Sequence, residues 1–167
     1  MYKKIIYYTT LVKINIKKYK KYKAMKKKFW EKKKLHQLSK GEWEALCDGC
    51  GKCCLIKLED EDTGKIEYTN IACKLLSKNN CRCLKYNERH NLVKDCIKLD
   101  YKNIDKIKWM PRTCAYKLIL EGKKLPEWHH LVSGDYKRMH KTGNSVKGKV
   151  IRENNSIDFE NHIINWI

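Results

Sequence analysis

Four cysteines fall within eight residues, Cys47-Asp-Gly-Cys50-Gly-Lys-Cys53-Cys54, as two successive Cys-x-x-Cys steps with a glycine inside each. Thiolates are soft ligands that select zinc, copper(I) or iron. Sulfurs at i, i+3 and i+6 can converge on one face of a loop or ragged helix start, and glycines at 49 and 51 let the backbone wrap without side-chain clash. Three such thiols plus a distant fourth are the arrangement that grips a cubane iron–sulfur cluster. Zinc is satisfied by the same donors, though its sites more often use two separated Cys-x-x-Cys knuckles. The remaining thiols are Cys81-Arg-Cys83 and the isolated Cys73, Cys96 and Cys114, a spacing that fits neither ribbon nor finger.

Neighbouring side chains in a loop point apart. Cys53 and Cys54 are therefore expected to serve different sites, or one of them to be structural. Lys52 and Lys57 would favour thiolates electrostatically, and Asp48 has the chemistry to support a metal ligand by hydrogen bonding. Lys52 is nevertheless expected to be a solvated surface residue.

Other chemistry is thinly represented. His129-His130 stand beside Trp128 in an expected loop, with no second pair at metal spacing; His36, His90, His140 and His162 read as surface or packing residues. The acidic stretch Glu59-Asp-Glu-Asp-Thr-Gly64 lacks calcium-loop spacing and reads as a solvated turn. No Ser–His–Asp set, phosphate loop or dinucleotide motif is visible. The Trp and Tyr residues are expected to pack a small core rather than stack nucleobases.

All nine cysteines lie in the 68 residues from Cys47 to Cys114. An odd count rules out complete pairing within the chain. The apolar run from Ile5 to Val12 is too short to span a bilayer and has no cleavage site after it, so a reducing cytoplasm is expected. There a dense thiol cluster reads as metal-binding or redox-active.

The net charge of +19 is unevenly spread. Residues 1–40 hold fifteen lysines against Glu31 alone, while the rest carries 23 basic and 18 acidic groups. Residues 1–28 read as a basic, disordered extension, either dispensable or translated from an over-called start upstream of Met25. Such a tail could touch nucleic acid only non-specifically.

Residues 29–167 look organised. Ser39-Lys-Gly-Glu42 has capping-box spacing, predicting a short helix from Gly41 into Cys47. Strands are expected at Leu55–Leu58, Lys65–Thr69, Cys96–Leu99 and near Val146–Ile151. Helical segments are expected at Asn103–Ile107, at Thr113–Glu121 before Gly122, and from Asp158 onward. The expected fold is a small, loop-rich, metal-stapled α+β domain.

Extended segments add a resemblance: Glu42-Trp-Glu-Ala-Leu-Cys47 through Cys54, Tyr68-Thr-Asn-Ile-Ala-Cys73, Cys81-Arg-Cys83-Leu-Lys-Tyr86, Asp95-Cys96-Ile-Lys-Leu99, Trp109-Met-Pro-Arg-Thr-Cys114-Ala-Tyr116 and Glu121-Gly-Lys-Lys-Leu-Pro126-Glu-Trp128-His129. In these the chain resembles the bacterial CxxCxxCC proteins (YkgJ-like, zinc- or iron-chelating), and within them the YcgN-like branch. The resemblance implies that Cys47, Cys50, Cys53, Cys54, Cys73, Cys83 and Cys96 form the common chelating set, with Cys81 and Cys114 as additions of this branch. It also implies a start near Met25.

The resulting expectation is a cytoplasmic zinc- or iron-binding protein, its cofactor an iron–sulfur cluster or zinc. A second expectation is an enzyme or enzyme subunit using the centre for electron transfer or thiol chemistry. A third is a zinc-stabilised nucleic-acid binder, which rests on the lysine tail alone. No partner protein is identified by these residues.

Overall fold

The computed structural model describes residues 28–167, so the expectations about residues 1–27 lie outside the described residues. The chain divides into two units, the boundary falling between Lys33 and Lys34. In the first, helix α1 spans Phe29–Lys32, with Lys28 paired to Glu31 at 3.1 Å and the Phe29 and Trp30 rings edge to face.

The second unit carries every cysteine. Helix α2, Lys40–Leu46, starts where the capping box predicts. The Ser39 hydroxyl accepts the Glu42 N–H at 3.3 Å, and the Glu42 carboxylate accepts the Ser39 N–H at 2.8 Å. Two otherwise orphaned amides are thereby satisfied. The helix ends at Cys47, and a short 3-10 turn over Lys52–Cys54 feeds strand β1, Leu55–Glu59.

β1 pairs antiparallel with β2, Ile66–Ala72, around a bulge between Leu55 and Lys57. The acidic stretch between them is the expected exposed turn: Asp60 Oδ1 accepts both the N–H and the hydroxyl of Thr63. β2 is the sheet's centre. Its other edge takes β3, Ile151–Arg152, parallel beside Ile71 and Ala72, and β4, Ile163–Ile164, antiparallel beside Tyr68 and Thr69.

Leu55, Ala72, Leu76, Cys81 and Val146 form a buried cluster at this sheet, with Cys54, Tyr68, Val150, Ile164 and Ile167 packed on it. Four further short helices complete the unit: α3 (Arg89–Leu92), α4 (Ala115–Leu120), α5 (His130–Ser133) and α6 (Arg138–Lys141). The architecture is a small α+β domain of short elements. No helix among the described residues is long and apolar enough to cross a membrane.

Three expectations about elements need correction. Cys96–Leu99 is not a strand: the Cys96 N–H closes a turn onto Val93 and the Lys98 carbonyl is taken by the Asn103 side chain, so no ladder partner is needed. The strand expected at Val146–Ile151 shrinks to Ile151–Arg152. The expected last helix is one 3-10 turn, Glu160–His162, running directly into β4; pairing with β2 overrides local helix preference there.

Candidate metal centre

The first thiol loop is held from three sides. At its entrance, the last carbonyls of α2 receive two imidazoles, His129 Nε2 on Leu46 at 3.1 Å and His130 Nε2 on Ala45 at 2.9 Å. Within the loop, the Cys50 N–H donates to Asp48 Oδ1 at 2.9 Å. From the C-terminal region, the Val146 N–H donates to the Cys50 carbonyl at 2.9 Å.

The glycines have the role their spacing suggests. Gly49 and Gly51 lie at φ +77° and +79°. A Cβ on Gly51 would stand 2.7 Å from Val146 Cγ2, so the loop is pressed against the buried cluster with no room for a side chain.

Backbone amides act on several sulfurs: Gly49 on Cys47, Lys52 on Cys50, Leu75 on Cys73, and Lys117 ahead of Tyr116 on Cys114. An N–H aimed at sulfur favours the thiolate. In the metal-free chain it is outweighed. Burial pushes Cys47 up to about 12, with the Cys53 and Asp48 charges adding to it. Burial likewise pushes Cys114 up to about 12 and raises Cys50, Cys73, Cys81 and Cys96.

Cys53 is the exception. A hydrogen bond from Cys54, their sulfurs 4.0 Å apart, and the nearby Lys57 ammonium bring it down to about 7, while Cys54 is driven up by the same contact. The charge of Cys53 is felt by Cys47, Cys50, Cys54, Cys96 and Cys114, and those of Cys73 and Cys83 by Cys96. Cys81 stands apart in the buried cluster with Val146, at φ +56°.

All nine thiols are free. As placed, no three His, Cys, Asp or Glu side chains among the described residues stand close enough to share one ion. The structure thus brings the thiols into common neighbourhoods without closing a coordination shell.

Two lysines flank these sulfurs. Lys52 is not the solvated residue expected from its charge. Only 5% exposed, it reaches the Thr113 hydroxyl at 3.4 Å, because the 3-10 turn aims it inward rather than at water. Lys57 reaches the carbonyls of Cys53 and Leu55 at 3.0 and 2.6 Å.

Sequence reasoning missed the histidine pair. His129 is fully buried and His130 nearly so, and the His129, His130 and Tyr136 rings stack in series. A buried pair next to Trp128 could have been suspected from the apolar company alone. The aspartate expected beside the thiols is there, with Asp48 Oδ2 buried and without a hydrogen-bond partner.

Comparison with known proteins places this arrangement. Residues 46–115 match a family model described as "CxxCxxCC: Putative zinc- or iron-chelating domain". A UPF0260 protein of Parvibaculum lavamentivorans is 52% identical over 140 residues, covering 83% of this chain and 92% of that protein. The chain belongs to the UPF0260 family. Further UPF0260 relatives are those of Vibrio atlanticus, 48% identical over 82% of this chain and 94% of theirs, and of Pseudomonas aeruginosa, 52% identical over 81% and 93%. No solved structure matches.

The residues of this UPF0260 chain suit a chelated ion in chemistry. The donors are thiols, Cys50 and Cys81 buried and the other seven half-buried, and the buried Asp48 Oδ2 in the first thiol loop has no hydrogen-bond partner. Buried acceptors without partners are costly, and a cation or a donor drawn in by one relieves them.

Proposed function

We propose that this protein is a cytoplasmic zinc- or iron-binding protein whose ligands are Cys47, Cys50, Cys53, Cys54, Cys73, Cys83 and Cys96, with Cys81 and Cys114 as further candidates. The observation that supports the reading is the first thiol loop itself, where the Cys53 and Cys54 sulfurs stand 4.0 Å apart and the buried Asp48 Oδ2 has no hydrogen-bond partner. The core position of Cys81 favours a packing role. Once bound, zinc would supply structural cross-linking or Lewis acidity, and an iron–sulfur cluster one-electron chemistry. The donor set favours the cluster slightly, since the Cys-x-x-Cys-x-x-Cys run supplies three thiols from one loop.

Elemental and acid-labile sulfide analysis of untagged protein, purified anaerobically, with optical and EPR spectra, tests this. Iron with sulfide supports the cluster; stoichiometric zinc in colourless protein replaces it with a zinc site. Protein holding neither metal refutes the proposal.

The Cys53–Cys54 pair, with sulfurs 4.0 Å apart and half-buried, favours a second reading, an enzyme or subunit that uses the centre for electron transfer or thiol chemistry. Rapid alkylation of one cysteine in metal-loaded protein would support it, and uniform protection would count against it.

A further inference from the structure

Lys57 occupies a site built for a cation from carbonyl oxygens and aromatic faces. Its ammonium donates to the Cys53 and Leu55 carbonyls and lies over the Trp109 ring at 4.2 Å, with the Tyr68 ring at 5.2 Å. The two rings are tied together, because the Tyr68 hydroxyl donates to the Trp109 carbonyl. The pairing of β1 with β2 shifts register between Leu55 and Lys57, immediately beside this site. Among the described residues no carboxylate forms an ion pair with it.

Desolvating an ammonium without an anionic partner is unfavourable, and aromatic faces and carbonyls offset only part of that cost. Thiolates gathered on a divalent ion leave the opposite excess, a net negative centre. Its bond to the Cys53 carbonyl sets the ammonium beside the Cys53–Cys54 pair, whose sulfurs are 4.0 Å apart.

Resting on the metal-binding reading above, we infer that Lys57 is a positioning residue that holds a fixed positive charge against the anionic thiolate centre at Cys53 and Cys54, and that metal affinity depends on that charge rather than on the side chain's hydrogen bonds. Lys57→Gln keeps a donor for the two carbonyls and removes the charge. Lys57→Arg keeps the charge and changes the donor geometry.

The experiment titrates Zn2+ into the reduced full-length chain against a chromophoric chelator near neutral pH, for wild type and both variants, with melting of the metal-free proteins recorded alongside. Lys57→Gln is expected to weaken Zn2+ binding by roughly tenfold or more, in the range for supporting partners of metal ligands. Lys57→Arg should stay within about threefold of wild type because the charge remains. The metal-free melting temperature of Lys57→Gln should remain close to that of wild type.

Equal Zn2+ affinity in wild type and Lys57→Gln overturns the inference and leaves the metal reading standing. Equal losses in Gln and Arg overturn it in favour of a carbonyl clamp. A wild-type chain that binds no Zn2+, and no iron with sulfide on anaerobic reconstitution, removes the metal reading and this inference together.

Discussion

His129 donates through Nε2 to the Leu46 carbonyl at 3.1 Å, and its Nδ1 accepts the Leu131 N–H at 3.1 Å. The second contact defines the tautomer. A ring nitrogen that accepts carries no proton, so the imidazole is neutral with hydrogen on Nε2. One buried ring therefore ties the start of α5 to the end of α2, one residue before the first thiol. His129→Ala should lower stability by roughly 2–4 kcal/mol, from two lost hydrogen bonds and a cavity. Urea unfolding of the metal-free chain measures it, and a loss well under 1 kcal/mol would contradict the described role.

His130 predicts a pH dependence. Burial, with the adjacent His129, holds its imidazole down to about 4, below the ordinary value of 6.5. The folded chain thus resists protonation that the unfolded chain accepts. Its contribution to stability is complete above about 6.5 and is lost as pH falls from there toward 4. Melting temperatures taken between neutral pH and pH 5 should fall in wild type and fall less steeply in His130→Asn. Parallel slopes would show that other groups carry the effect.

The two glycines at either end of the cysteine-bearing region should separate strain from crowding. Gly51→Ala meets both, a left-handed φ and Val146 Cγ2 at 2.7 Å, and should cost roughly 2 kcal/mol or more. Gly122→Ala has the same kind of φ but open space around the new methyl, and should cost about 1 kcal/mol. Equal losses in chemical denaturation would mean that the packing of the thiol loop on the buried cluster is looser than described.

Metal removal gives the fourth expectation. Binding to the native chain alone stabilises it by mass action, so stripping metal with a strong chelator should lower the melting temperature by roughly 10 °C. Cys50→Ala should melt near the stripped wild type and respond little to chelator. Calorimetry with and without chelator compares the four samples; an unchanged wild-type curve would contradict coupling of metal to folding.

What the sequence disclosed, and what it hid, follows the range of the forces involved. The Ser39–Glu42 cap, the hairpin around Asp60 and the left-handed glycines depend on residues within a few positions of one another, and all were readable. The burial of Lys52 depends on Thr113, and that of His129 on Leu46, partners 61 and 83 positions away, which no local pattern encodes. The end of the chain misled for the same reason: Asp158 and its neighbours resemble a helix start, but β2 supplies a strand partner for Ile163 and Ile164. For the site, residue types and spacing named the candidate thiols, while the buried, unpartnered Asp48 Oδ2 and the inward-turned Lys52 appeared only with the fold.

The hydrogen bond from Val146 to Cys50, with the imidazole of His129 on Leu46, also bears on how this protein can be dissected. Both donors lie downstream of the stretch that the family model recognises, residues 46–115. A fragment trimmed to those boundaries would keep all nine sulfurs and lose the braces that shape the loop bearing four of them. The smallest piece worth expressing must run from Ser39 at least through β4, and a minimal peptide spanning only the cysteines would report on loose thiols rather than on this fold.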